Sequence, residues 1–183
     1  VSQKTQKALD RRNFAPGQHG QTRKKSSSVY KQQLVEKQRL RFTYNISEAQ
    51  LAKAYDEANR RAGSAGDNLM ILLETRLDAL VYRMGFARTI FAARQYVAHG
   101  HFTVNGVRSY SPARQIKAGD VIAVREGSKE HVQIKEAIAN APAAPEYVTV
   151  DAGKMEGSLV KLPLRDQIPV KLEEQLVVEY YSR

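Results

Sequence analysis

Cysteine is missing from this 183-residue chain. That excludes disulfides, thiolate zinc clusters and cysteine nucleophiles, and it is compatible with a reducing compartment. No apolar run approaches the roughly 20 residues that cross a bilayer as a helix. The opening VSQKTQKALDRR is polar and basic, without the pattern of a signal peptide, so a cytoplasmic protein is expected. The patterns GxxxxGK(S/T), GxGxxG and HExxH do not occur, and no repeat of solenoid period is visible.

Catalytic constellations are equally scarce. Glu74 and Asp78 are four apart and share a helix face, but Arg76 and Arg83 beside them explain the pair as electrostatics rather than as a glycosidase-like couple. His99 and His101 flank Gly100 and point apart if the chain is extended. Two histidines without a third ligand make a poor metal site. His19 has no neighbouring His, Cys or carboxylate, so a backbone-shaping or phosphate-contacting role is expected for it. No catalytic residue, metal ligand or cofactor follows from the sequence.

What is present is positive charge, unevenly placed. The net charge is +10. Residues 1–45 carry eleven Lys/Arg against two Asp/Glu, residues 46–62 three against three, residues 63–128 eight against five, and residues 129–183 seven against nine. A one-ended positive field points to a polyanionic partner, nucleic acid before an anionic membrane surface. A solubilising tail is the bland alternative. The apolar fraction, 42%, is enough for a core.

Residues 1–29 bury too little to order alone and are read as a basic extended arm, with a turn at Pro16-Gly17. Residues 30–44 read as a helix with Tyr30, Leu34 and Val35 on its apolar side and Lys37 and Arg41 on a phosphate-facing one. Residues 47–62 form a helix opened by a Ser47/Gln50 capping box, with Leu51, Tyr55 and Ala58 inward, and ended at Gly63. Asp67 is the expected N-cap of a core-building element running through Leu69, Leu72, Leu73, Leu77, Leu80, Val81 and Met84, as one long helix or two abutting ones. Thr89 caps a helix with Ile90, Ala93 and Val97 inward. Phe102–Val104 is a strand leading into the hairpin signal Asn105-Gly106. Val121–Val124 and Tyr147–Val150 are strands, residues 129–140 a helix, and Leu176–Tyr181 a strand that returns to the body.

The fold class expected is α+β, a mostly helical N-terminal domain plus a module of two short helices on a small, mainly antiparallel sheet. The division is 1–29 as arm, 30–75 with 127–183 as helical body with a returning C-terminal segment, and 76–126 as the module. On that module Arg76, Arg83, Arg88, Arg94, Gln95, His99, Asn105 and Arg108 gather as a binding surface. Arginine forks grip phosphates, and a compact wedge suits the irregular backbone of folded RNA better than a DNA groove. Charge alone does not separate RNA from DNA. Replacing Arg83 or Arg94 by Ala is expected to weaken RNA binding and leave unfolding nearly unchanged.

Arg76-Leu-Asp78, Tyr82-Arg-Met-Gly-Phe86, Ala93-Arg-Gln95, His99-Gly-His-Phe102 and Val104-Asn-Gly106 resemble the RNA-binding module named after small-subunit ribosomal protein S-four. The module alone also occurs in RNA pseudouridine synthases, some tyrosyl-tRNA synthetases and a small heat-shock RNA binder. Pro16-Gly-Gln-His-Gly20 and the ending Glu179-Tyr-Tyr-Ser-Arg183 resemble the bacterial ribosomal family itself, across essentially the whole chain. The resemblance implies a structural protein of the small ribosomal subunit, a primary binder of 16S-type rRNA that clamps a multi-helix junction of the 5′ domain and nucleates assembly. It implies contact with small-subunit protein five, through residues such as Glu173, Glu179 and Tyr180, and an influence on decoding accuracy. Gly17, Gln18, His19, Lys31, Lys37 and Arg41 would extend the rRNA surface, and Arg23, Lys24 and Lys25 would lie near the mRNA entrance channel. The alternative, an RNA-modifying enzyme built on the same module, needs a catalytic domain for which no length remains. Ile90 stands where the family commonly has Arg, and Phe91 where it has a small residue, so one phosphate contact is expected to be missing. The family usually has about twenty further residues before PGQHG, in a terminus of the kind that is often poorly ordered.

Overall fold

The computed structural model describes residues 10–14, 17–21 and 28–182. The expected α+β architecture is there, helices first and then helices packed on an antiparallel sheet. Helix α1 (Val29–Thr43) is capped by Ser28, whose hydroxyl accepts from the Lys31 amide at 3.3 Å. Helix α2 (Glu48–Arg60) opens on the Ser47/Gln50 capping box, both hydrogen bonds at 3.3 Å. Each side chain satisfies an N–H that the first turn would otherwise leave unpaired.

The core-building element is two helices, α3 (Ala65–Glu74) and α4 (Leu77–Arg83). The break is imposed from outside. The loop before β3 docks on it, so that the Leu77 and Asp78 amides donate to the Arg114 and Pro112 carbonyls at 2.9 and 3.1 Å, and the Ile116 amide donates to Thr75 O at 2.9 Å. The N-cap of α3 is Ser64, not Asp67. Ser64 Oγ accepts from the Asp67 amide at 3.3 Å, and the Asp67 carboxylate sits in the first turn, where the helix dipole favours it. Helix α5 (Ile90–Ala98) is capped by Thr89 as expected.

Strands β1 (Phe102–Val104), β2 (Val107–Arg108), β3 (Val121–Val124), β4 (Val148–Asp151) and β5 (Glu156–Leu159) form one sheet in the order β2-β1-β3-β5-β4. Every pairing is antiparallel. Asn105 and Gly106 turn β1 into β2 with φ of 52° and 78°, the left-handed pair that such a two-residue turn requires. Strands β4 and β5 come from the segment 127–183 that was assigned to the helical body; β5 pairs with β3 through Ile122↔Gly157, so that segment widens the module's sheet. Between β3 and β4 lies helix α6 (Val132–Ala139).

Two cores result. One joins Phe102, Val104, Ile122, Val124 and Leu159 of the sheet to Leu77, Leu80, Val81, Phe86, Val97 and Ile134. The other joins Leu40, Tyr44, Leu51, Leu69, Met70 and Leu73 to Ile168 and Val177. Tyr82 packs against both.

Two further expectations are corrected. The C-terminal run is a helix, α7 (Glu174–Tyr181), not a strand. Val177 is buried, Val178 and Tyr181 are half-buried, and their i, i+1, i+4 spacing is a helical face; Tyr181 stacks on Tyr55 with ring centroids 5.0 Å apart. Helix α1 is turned the other way from its expected orientation. Gln33, Glu36, Lys37 and Leu40 face inward, whereas Tyr30 and Val35 are exposed. The inward polar groups meet polar partners on α7 and α2: Gln33 Nε2 donates to Glu179 at 2.9 Å, and Lys37 Nζ to Glu48 at 2.8 Å.

Candidate nucleic-acid interface

The positions read as one cationic surface fall into three groups. The first is internal. Arg76, 5% exposed, stands just before the first residue of α4 and forks onto Asp78 with bonds of 3.0 and 2.7 Å. Arg83 reaches back to the fully buried Glu74, to which Tyr44 and Tyr147 also donate at 2.5 and 2.6 Å. Burial works against the Arg83 charge, but Glu74 outweighs it and the guanidinium is held firmly protonated. Burial, then the Glu74 charge, pushes the two phenols upward. Lys37, 4% exposed, lies between Glu48 and the face of Tyr180. Arg76 and Arg83 neutralise the buried Asp78 and Glu74, and Lys37, itself buried, pairs with the half-exposed Glu48, so these three support the surface rather than forming it.

The second group is at the surface but partly engaged. Arg94 Nη1 donates to the Asn45 carbonyl at 2.7 Å and tethers α5 to the loop after α1. Arg88 is exposed and pairs with Glu136 at 2.9 Å. Arg41 is half-buried, 3.6 Å from Glu48; burial raises the Glu48 pKa, but bonds from Lys37 and Tyr181 and the nearby charges bring it below the ordinary value. Asn105 spends its side chain on the hairpin, donating to Asp120 at 2.8 Å and accepting from the Val121 amide at 2.9 Å. Arg108 donates to the carbonyls of Gly100 and His99 and lies over the Tyr110 ring.

The third group is open. Lys31, Gln95 and His99 are exposed, as are Gly17, Gln18 and His19 on a turn closed by the Gly20 amide to Gly17 O at 3.1 Å. Arg23, Lys24 and Lys25 lie outside the described residues. Of the expected protein contacts, Glu179 is bound to Gln33 and Tyr180 lies against Tyr30 and Lys37. Glu173 is exposed and, with Lys31, Val35, Glu36 and Leu176, lines a cleft of about 280 Å³ between α1 and α7. Ile90 is buried in the helical core and Phe91 is 59% exposed.

Sequence reasoning passed over Arg114, Lys117 and Arg125. The first two stand beside Asp120 at the Asn105 turn, and Arg125 follows β3. A basic residue flanking a predicted strand was the only signal. It also set His99 and His101 apart, whereas the positive φ of Gly100, 71°, folds their rings to within 6.1 Å of each other.

Two family profiles match the chain. The Ribosomal protein S4/S9 N-terminal domain covers residues 2–74, and the S4 domain covers residues 75–122. A small ribosomal subunit protein uS4 of Oceanobacillus iheyensis is 50% identical over 179 residues, 98% of this chain and 90% of its own. The chain belongs to the uS4 family. Other uS4 proteins agree: that of Micrococcus luteus is 49% identical over 188 aligned positions, all of this chain and 90% of its own, and one from Listeria monocytogenes is 48% identical over 179, or 98% and 90%. The two uS4 profiles meet at the break between α3 and α4, where the docked loop separates the helical part from the module.

Proposed function

We propose that this chain is a structural, non-catalytic rRNA-binding protein of the small ribosomal subunit. The observation that carries this reading is end-to-end identity of about one half to proteins named small ribosomal subunit protein uS4. The finer reading is a clamp. The arm of residues 1–29 and the helical body grip one side of a 16S-type rRNA junction and the module grips the other, so that binding nucleates assembly of the subunit body. Charge supports it, since eleven of the 29 Lys/Arg lie in the first 45 residues. On the module the RNA-facing side is the exposed side of α5 and the turn beyond it, with Arg88, Arg94, Gln95, His99 and Arg108, while Arg76, Arg83 and Lys37 hold the platform. Residues Arg23, Lys24 and Lys25 are assigned to the mRNA entrance. The α1–α7 edge, with Glu173, Glu179 and Tyr180, is assigned to small-subunit protein five and through it to decoding accuracy.

Hydroxyl-radical footprinting on small-subunit rRNA tests the clamp. Protection confined to a multi-helix junction, resistant to excess bulk duplex, is the expected result. Protection that bulk duplex or anionic vesicles remove would leave only a nonspecific polyanion binder.

A further inference from the structure

Five basic side chains converge at the end of the sheet opposite the Asn105-Gly106 turn. His99 and Gly100 follow α5, His101 leads into β1, Arg108 ends β2, Arg125 follows β3, and His131 precedes α6. The sheet register brings them together: Phe102 pairs with Val124, Thr103 pairs with Arg108, and the Arg125 amide donates to His101 O at 2.8 Å. The imidazoles stand in a row, with 6.1 Å between the His99 and His101 ring centroids and 5.3 Å between those of His101 and His131. The Tyr96 ring backs the last two, and Ser128 Oγ lies 2.9 Å from His101 Nδ1.

Among the described residues no carboxylate is ion-paired to any of these five side chains. Among the described residues neither Arg108 nor Arg125 is ion-paired, and both Arg125 Nε and His131 Nδ1 are buried without a hydrogen-bond partner. The carboxylates nearest in sequence, Glu126 and Glu130, have side chains 86% and 88% exposed and pair with Lys129 and Lys135. Burial lowers the His101 pKa, and so do His131, His99, Arg125 and Arg108, each of them basic. A cation would meet two guanidiniums here, and no metal-holding group exists among the described residues. An oxyanion would instead supply an acceptor to Arg125 Nε, and to His131 Nδ1 once that ring is protonated there, and a guanidinium fork matches phosphate geometry.

We propose that His99, His101, Arg108, Arg125 and His131 form a binding site for a phosphate group. The site stands independently of the ribosomal reading; only its supply by an RNA backbone phosphate rests on that reading.

The full chain, with labelled histidines, is titrated by NMR in chloride and in inorganic phosphate at matched ionic strength. The His101 midpoint moves upward in phosphate, and the movement is lost in R125Q and reduced in H131Q, each checked for an unchanged unfolding midpoint. The same midpoint in both salts, or a full response in both variants, overturns the site. A second arm measures affinity for a small-subunit rRNA fragment. A loss of about threefold or more in R125Q, growing as pH falls through the imidazole range, makes RNA the source of the phosphate. An unchanged RNA affinity alongside an intact NMR response supports the site with free phosphate as its ligand, and leaves rRNA binding to the other residues.

Discussion

Glu74 shows how a single buried carboxylate decides what its neighbours can do. It is fully buried, and three donors from three parts of the chain converge on it: Tyr44, Tyr147 and Arg83. Removing one partner of such a pair leaves a charge without compensation. Arg83→Ala is therefore expected to destabilise the fold by about 3–5 kcal/mol, read as a lower urea midpoint. This reverses the expectation that the substitution would spare stability. Arg94→Ala removes a bond to the Asn45 carbonyl and a 4.0 Å approach to the buried Asp78, which keeps its Arg76 fork, so a smaller loss of stability than in Arg83→Ala is expected beside the loss of RNA affinity. Asp120 contributes one pH dependence. Its carboxylate accepts from the Lys117 amide and the Asn105 amide group, which hold its pKa below the ordinary value of 3.8. A depressed carboxylate contributes stability above its unfolded pKa and loses it as pH falls through the folded one. Asp120→Asn should thus be less stable than the parent at neutral pH, with the gap closing below about pH 4. An unchanged gap at acid pH would remove the charge from the explanation.

At the scale of elements, local signals were legible and long-range ones were not. Ser47 and Gln50, Thr89, and Asn105-Gly106 each fix their own neighbourhood, and the structure has the capping box, the cap and the turn that they predict. Ser47→Ala should cost about 1 kcal/mol, seen in thermal unfolding, with RNA affinity unchanged. The orientation of α1 was not legible, because the partners that hold Gln33 and Lys37 inward lie on α7 and α2. Helix α7 itself was misread because Val177, Val178, Tyr180 and Tyr181 are good strand formers, and only docking selects the helical spacing. In the site, sequence grouped Arg76 and Arg83 with Arg88 and Arg94 by charge. The sequence also set Arg76 and Arg83 beside Glu74 and Asp78, but that these carboxylates are buried, and so draw the two arginines off the surface, shows only once the α3–α4 break is folded.

For the whole molecule, the two cores meet through Tyr82 and the Glu74 cluster, while the charge is concentrated outside both. Residues 1–27 carry seven Lys/Arg and one acid. Deleting them should leave the urea midpoint nearly unchanged and reduce the magnitude of the log–log salt slope of rRNA binding, by about 0.7–0.9 for each phosphate that is no longer neutralised. An unaltered slope would place the RNA-binding groups entirely on the body and the module.

The tyrosine pair on Glu74 also has a consequence in time. Tyr147 is 73 residues downstream of the carboxylate that it serves. At about 5–20 residues per second, synthesis reaches it some 4–15 s after Glu74. Through that interval the nascent chain holds a carboxylate whose burial is incompletely matched. The helical half therefore lacks a partner as it emerges, and its core is completed only when Ile168 and Val177, beyond the last strand, have been made.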